Sequence, residues 1–392
     1  MIAAQTYHGL RLLDLSTNIA GPYAALIFAD LGADVIKIER TPTGDDTRAL
    51  PPRWGDDATV FLAMNRNKRS VLLDIKSDDG RAAILKLVET ADVVIESFPP
   101  GVADKLGLNH AAFAAANPAI ITCTVSAFGD GQLGSTMPGY DALVQAVSGL
   151  MSLTGHPDSE PVRTGPSILD ATTGMWSVIA IQAALARRAA GAGGEHVQAS
   201  LIESAFALVA HQIQGLLATG EQPPKLGSGA PSAAPYRVYR ASDGFIMIAT
   251  ASEPQFPRLC AALDLPALAA DPRFATMAGR IAGRDALDAT IGAAVAQRPV
   301  AEWLNILAGA GISAGRVNDL EEALAQPVAQ ELGLFVSPDT VGNPSGLPMQ
   351  RIPTDATGAG HRLPPPRLGE HSRAVLAEAG LGEAIIDRLA PL

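Results

Sequence analysis

Apolar positions along the chain fall into two rhythms. Short β-branched or leucine-rich runs at Leu10–Leu15, Ala33–Ile38, Ser70–Leu73, Val93–Glu96, Ala119–Val125 and Glu195–Ala199 read as strands. Gly80–Thr90, Asp141–Met151, Asp170–Arg188 and Leu201–Ala218 instead carry apolar residues at helical spacing. Gly21-Pro22 opens a further helix running to Leu31, with Pro in its first turn and Gly32 as its stop. Strands alternating with helices predict βαβ units and a mostly parallel sheet.

The pattern changes at Thr219–Pro235, which holds Pro223, Pro224, Gly227, Gly229, Pro231 and Pro235 and reads as a linker or a loop that closes over a site. Tyr236–Arg240 and Gly244–Ala249 then read as paired strands around Ser242-Asp243-Gly244. Helical segments follow at Pro254–Leu263, Arg284–Ala296 and Val300–Leu307. Val336–Gly369 is rich in Pro and Gly and reads as a long surface connection, and His371–Ala379 and Glu383–Leu389 as a closing helix pair. The expected fold class is α/β: a large domain over 1–218 completed by 329–392, a linker at 219–235 and a smaller α+β domain over 236–328. A chain of 392 residues exceeds what a single core usually supports, which fits two domains.

Composition narrows the function. Net charge is −11, which disfavours nucleic-acid binding, because that needs a basic face to displace counterions. A phosphorylated ligand would be held by a few local cations instead. Two cysteines, Cys123 and Cys260, cannot form a disulfide framework, and no Cys/His spacing suggests a metal. No run approaches the ~20 apolar residues of a membrane helix, and Met1–Gly9 lacks the pattern of a secretory signal. A cytoplasmic and an organelle-matrix location both fit, and the expected one is cytoplasmic.

The first strand-turn-helix reads Ser16-Thr17-Asn18-Ile19-Ala20-Gly21-Pro22 and lacks the GxGxxG of dinucleotide binding. Arg40, at the end of the second strand, is either a ligand for a ribose phosphate or a solvated charge. The group Asn65-Arg66-Asn67-Lys68-Arg69, with Lys76 and Lys105, either forms a phosphate site at the carboxyl ends of the strands or is a set of separate surface charges. Pro166-Ser167-Ile168-Leu169-Asp170 leads into a strongly apolar helix. Asp170 there is either a cap worth about 1 kcal/mol or a carboxylate kept ionised by the helix end. Sheltered by apolar neighbours, such a carboxylate is a competent nucleophile toward a thioester. Tyr140-Asp141 is a substrate contact or a helix start. No GxSxG or HExxH is present, and the seven histidines show no ligand spacing.

Asp14-Leu15-Ser16, Ala20-Gly21-Pro22-Tyr23, Leu31-Gly32-Ala33-Asp34-Val35-Ile36-Lys37-Ile38-Glu39, Asn67-Lys68-Arg69-Ser70, Ala91-Asp92-Val93-Val94-Ile95-Glu96, Gly139-Tyr140-Asp141 and Gly165-Pro166-Ser167-Ile168-Leu169-Asp170 together resemble class III coenzyme A transferases. The likeness continues through Ala234-Pro235-Tyr236 and Pro365-Pro366-Arg367-Leu368-Gly369-Glu370-His371. It implies a Rossmann-like large domain, a small domain, and an interlocked homodimer. It implies transfer of CoA from an acyl-CoA to a carboxylic, and by expectation dicarboxylic, acid through aspartyl anhydride and aspartyl-CoA thioester intermediates. Asp170 is then the nucleophile, acyl-CoA is a substrate, and no metal or permanently bound cofactor takes part.

By the same resemblance the CoA contacts fall on Thr17, Asn18, Ile19, Ala20, Arg40, Leu73, Lys76, Ser97, Phe98 and Lys105, and Tyr140, Gly227 and Gly229 are substrate contacts. The family often has Asn-Phe at Ser97-Phe98 and Arg at Lys105. Formyl-CoA:oxalate enzymes have Gln at Ile19, so the resemblance implies an acceptor larger or less polar than oxalate. Two alternatives stay open. One is a 2-methylacyl-CoA racemase on the same fold, whose His falls at Tyr140 and whose assisting Glu resembles Glu253. The other is a CoA-binding protein without catalysis.

Overall fold

Parallel strands buried on both faces need helices on both sides, and the first part of the chain supplies them. The computed structural model describes residues 6–336, 346–353, 360 and 362–390. Strands β1 (Arg11–Leu15), β2 (Asp34–Arg40), β3 (Lys68–Leu73), β4 (Val93–Glu96), β5 (Ile121–Ser126) and β6 (Glu195–Ser200) form one sheet in the order β3-β2-β1-β4-β5-β6. Every neighbouring pair is parallel. The helices used below are α1 (Ala20–Asp30), α2 (Asp78–Val88), α3 (Val102–Leu106), α4 (His110–Ala116), α5 (Asp141–Val147), α6 (Ile168–Ala189) and α7 (Leu201–Leu208).

Alternation along each strand sorts the side chains. Leu13, Ile36 and Val94 pack with Ile84 and Leu87 of α2, Phe113 of α4, and Val375. Leu12, Val35, Ile95 and Cys123 pack on the other face with Phe28 of α1 and Val178 and Ile181 of α6. Each fully buried aliphatic side chain of this kind stabilises the fold by roughly 1.5–3 kcal/mol. Helix α6 has the length and composition to cross a membrane, yet it buries Leu169, Val178, Ile181 and Ala184 inside this unit. Its other face leaves Met175, Trp176 and Ile179 exposed.

The chain divides into two compact units, one of Met1–Leu150, Thr164–Gln214 and Gly333–Leu392, the other of Met151–Arg163 and Gly215–Leu332. In the second, Tyr236–Arg240, Phe245–Ala249 and Ser313–Arg316 form an antiparallel sheet. Its core joins Ile246 and Ile248 to Leu259, Leu287, Ile291 and Trp303. The expected linker at 219–235 is part of this unit: Gly227 N–H donates to the Gly155 carbonyl, and Arg284 donates to the carbonyl of Ala230.

Two expected helices differ. The segment expected as one helix over 201–218 is two, Leu201–Leu208 and Ala210–Thr219, bent by 65°. The helix beginning at Asp141 stops at Val147, where Gly149 takes φ +84°. In the connection expected over 336–369, residues 337–345, 354–359 and 361 lie outside the described residues.

Candidate active site

The carboxyl ends of β3, β2, β1 and β4 are adjacent, and most of the residues expected to hold a ligand follow them in that order. Lys76 follows β3, Arg40 ends β2, Thr17–Ala20 follow β1, and Ser97 and Phe98 follow β4, with Lys105 beyond on α3. Arg40, Lys76 and Lys105 are exposed, and Arg40 forms an ion pair with Asp46. Leu73 differs from this expectation. Its side chain is fully buried, and its carbonyl accepts from Thr41 N–H, so it forms the floor beneath the strip.

The turn after β1 is held by its surroundings. Asn18 takes φ +67°, a left-handed conformation that Asn tolerates better than most residues. Thr17 N–H donates to Ser97 Oγ at 3.0 Å, and Asn18 N–H donates to Asp45 Oδ1 at 3.3 Å. A Cβ on Gly21 would lie 2.3 Å from the Ser16 side chain, so only glycine lets α1 close onto the turn. No side chain caps α1 at Ile19, which leaves the free backbone donors of its first turn available to an anion.

Beneath this turn lies a buried charge network. Lys68 Nζ donates to Asp14 Oδ2 at 2.8 Å, to the Pro22 carbonyl at 2.9 Å and to Asn65 Oδ1 at 2.9 Å. Lys37 Nζ donates to the Ser16 carbonyl at 2.9 Å and pairs with Asp45 at 2.9 Å. Burial pushes the Asp14 carboxyl up, but Lys37 and Lys68 more than reverse that and hold it at about 2. Of the cations read as either a phosphate site or separate surface charges, three are structural: Lys68 is locked to Asp14, Arg66 to Asp30, and Arg69 to Asp34 and Glu378. The reason is placement, because Lys68 and Arg69 open β3 at its amino end. Only Lys76 and Lys105 of that group follow strand ends.

Asp170 occupies the first turn of α6, as the third helical residue, and it is not the cap. The cap comes from Asp141, which opens α5: its Oδ2 accepts Leu169 N–H at 2.8 Å and Asp170 N–H at 3.2 Å. Gln145 donates to the other oxygen of Asp141 at 2.6 Å. Among the described residues, nothing donates a hydrogen bond to the half-buried Asp170 carboxylate and no cation pairs with it. Burial, and then the negative charge of Asp141, push its pKa up to about 7. This corrects the expectation of an acid kept ionised by the helix end: Asp141 already occupies two of the donors there. Sequence reasoning read Tyr140-Asp141 as a substrate contact or a helix start; Asp141 does start α5, and what was missed is its capping of α6.

Helix α6 also lies against the start of α1. A Cβ on Gly174 would stand 2.8 Å from the Ala20 carbonyl and 3.0 Å from the Tyr23 ring. Residues four apart share a helix face, so the turn of α6 that carries Asp170 lies next to the end of α1 that carries Ala20. At the far end, Arg188 donates to the carbonyls of Asp92 and Ala119, at the amino ends of β4 and β5.

The remaining expected residues have local explanations. Tyr140 is 74% exposed and precedes α5. Gly227, at φ +60°, lies against the His156 ring, and Gly229 lies against Arg284, each too close for a side chain to fit without movement. Glu253 accepts from Met277 N–H and from Arg280, which ties it to packing in the second unit. No group of His, Cys, Asp and Glu able to hold a metal occurs among the described residues.

The sequence and the fold are similar to those of known proteins. The family model described as CoA-transferase family III matches residues 7–372. A succinate–glutarate CoA-transferase of Agrobacterium fabrum is 37% identical over 94% of this chain and 94% of its own length. An acetyl-CoA:oxalate CoA-transferase of Acetobacter aceti is 35% identical over 96% and 97%. The crystal structure of a CAIB/BAIF family protein from Brucella suis superposes with a TM-score of 0.85 at 38% identity, covering 95% of this chain and 98% of that one.

Proposed function

The chain belongs to CoA-transferase family III, and we propose that it moves coenzyme A from an acyl-CoA to a free dicarboxylic acid with Asp170 as nucleophile. The Asp170 carboxylate attacks the thioester carbonyl and the C–S bond breaks, giving an acyl-aspartyl anhydride and the CoA thiolate. The thiolate attacks the aspartyl carbonyl, releasing the donor carboxylate and leaving an aspartyl-CoA thioester. The acceptor carboxylate attacks that thioester to form a second anhydride and free the thiolate again. The thiolate then takes the acceptor acyl group, and Asp170 is regenerated. No redox step or external base is needed.

One observation carries the reading. The Asp170 carboxylate has no hydrogen-bond or ion-pair partner among the described residues, and Asp141 performs the capping that would otherwise explain its position. With a pKa near 7, the group is half ionised at neutral pH and more basic than an ordinary carboxylate. The strand-end strip suits CoA: Arg40, Lys76 and Lys105 for phosphates, and the uncapped start of α1 beside them. The strand order β3-β2-β1-β4-β5-β6 supports a Rossmann-like description, with Thr17–Ala20 and Ser97–Phe98 flanking the point where the order reverses, the usual ligand crevice of such sheets. The relatives' names support dicarboxylates as acids, and exposed Tyr140 is proposed as an acid contact.

The proposal includes an interlocked homodimer. Leu143 and Val147 of α5, Met175, Trp176 and Ile179 of α6, and Phe206 of α7 form an exposed apolar set whose cover such a dimer would supply. A cytoplasmic setting accords with the free thiols of Cys123 and Cys260. The test is Asp170→Ala. Exchange of label between succinate and succinyl-CoA is expected to fall by at least ~10³-fold, while calorimetry still detects CoA binding. Hydroxylamine added during turnover of the unaltered enzyme should modify Asp170, detectable by mass spectrometry. Exchange persisting in the variant would remove Asp170 from the chemistry.

A further inference from the structure

Glu96 ends β4 almost fully buried, immediately before Ser97 and Phe98. Its Oε2 accepts Phe98 N–H at 2.8 Å, and its Oε1 accepts the hydroxyl of Thr124 on β5. The same hydroxyl lies 2.8 Å from His196 Nε2 on β6. A hydroxyl has one hydrogen, so while Thr124 donates to an ionised Glu96 it must accept from His196 Nε2–H. The ring of His196 stacks on His110 of α4 at 5.3 Å, and His110 Nδ1 lies 3.0 Å from Thr122 Oγ1. On the other side, Ser97 Oγ accepts Thr17 N–H. A line of hydrogen bonds and backbone thus runs from His196 near the amino end of β6, through Thr124 inside β5, to Glu96 at the carboxyl end of β4 and on into the turn after β1.

We propose that Glu96 is a positioning residue of the acyl-CoA site, holding the Ser97–Phe98 backbone and through it the Thr17 turn, with Thr124 and His196 setting its charge. The inference rests on the CoA site read above. A carboxylate holds an N–H about twice as strongly as a neutral acceptor does, so the grip on Phe98 is firm when Glu96 is ionised and loose when it is protonated. The line from Glu96 through Thr124 to His196 Nε2 accommodates both states. When Glu96 gains a proton it donates to Thr124, Thr124 turns its hydrogen toward His196 Nε2, and His196 carries its own proton on Nδ1.

The surroundings make Glu96 easier to protonate than an ordinary carboxylate. Burial pushes the Glu96 carboxyl up and Asp104 of α3 adds to that, while Thr124 and Phe98 N–H pull it down without cancelling the rise. Partial burial and the His110 ring hold His196 below its ordinary value, against the pull of Asp130. Burial pushes the thiol of Cys123, next to Thr124 on β5, up to about 12, and the Glu96 charge adds to that push, so it stays protonated.

The experiment is calorimetric binding of free coenzyme A from pH 5 to pH 8 to the full-length protein and to Glu96→Gln and Thr124→Val, with thermal melts as folding controls. Coenzyme A titrates in the same range, so the quantity read is the ratio of variant to wild-type Kd, in which the ligand's own protons cancel. For Glu96→Gln that ratio is expected near fivefold at pH 8 (about 1 kcal/mol), falling toward one as acid protonates Glu96 in the wild type. Thr124→Val removes a bond that favours the ionised form. It should match the wild type at pH 8 and lose affinity at a higher pH on acidification. A Glu96→Gln ratio that stays at one, or that does not change with pH, overturns the proposal while leaving the CoA site standing. A wild-type protein that binds no CoA takes down both.

Discussion

Asp14 and Asp170 both lose water to their surroundings, and they end in opposite states. Burial pushes each carboxyl upward. At Asp14 two lysines more than reverse the push, holding it at about 2; at Asp170 no cation answers, Asp141 adds to the push, and the group reaches about 7. The lesson is that burial alone does not decide what a carboxylate is for; its company does. Asp14 is saturated with partners and fixes the turn between Ser16 and Pro22. Asp170 keeps its lone pairs free, which a nucleophile requires.

The comparison breaks most visibly on the saturated side. Lys68→Met leaves Asp14 with Lys37 as its one cation and strips the Pro22 carbonyl and Asn65 of a donor. A loss of roughly 3–5 kcal/mol is expected, as for any buried pair with one partner removed, read by urea denaturation. The double variant Lys68→Met, Asp14→Leu should recover part of that loss, and failure to recover any would show that the two residues act separately.

The unsaturated side is sharpened by pH. On the proposed mechanism transfer requires ionised Asp170, so kcat/KM should fall about tenfold per pH unit below an apparent pKa near 7 and level off above it. Asp141→Asn keeps an oxygen to accept Leu169 N–H but removes a negative charge, so the acid limb should move to lower pH. A limb that stayed in place would mean that Asp141 caps α6 without influencing the nucleophile.

The smallest effect concerns stability. A raised folded-state pKa means that ionising Asp170 works against folding. This penalty is absent below the unfolded value of about 4, grows between there and about 7, and is complete above. Asp170→Asn should therefore melt higher than the wild type at pH 8, by roughly 1–3 °C after solvent screening of a half-exposed group, with a smaller gain at pH 5.

Strands were readable from sequence because both faces of this sheet are covered, so Val93–Ile95 is continuously apolar and Ile121–Val125 is mostly β-branched. The start of α6 was readable from Pro166 and the apolar run after it. The break at Val209 was not, since apolar spacing continues across it and only the 65° bend separates the two helices. Lys68 was misread because a run of cations does not announce which end of a strand it occupies. Asp141 was invisible as a cap because the donors it serves lie 28 and 29 residues further along the chain. The Glu96 relay stayed hidden for the same reason, its members being drawn from three strands.

The bare Cα of Gly174 gives the chemistry a mechanical reference point. An added methyl group would press on the Ala20 carbonyl and wedge the two helices apart, shifting the attacking oxygen relative to a bound thioester. Reactions between held groups lose about a hundredfold for an ångström of misplacement. On the proposed mechanism, a position with no functional group would thus govern the rate by being empty, and variation there would register as a catalytic defect in a protein that is otherwise well folded.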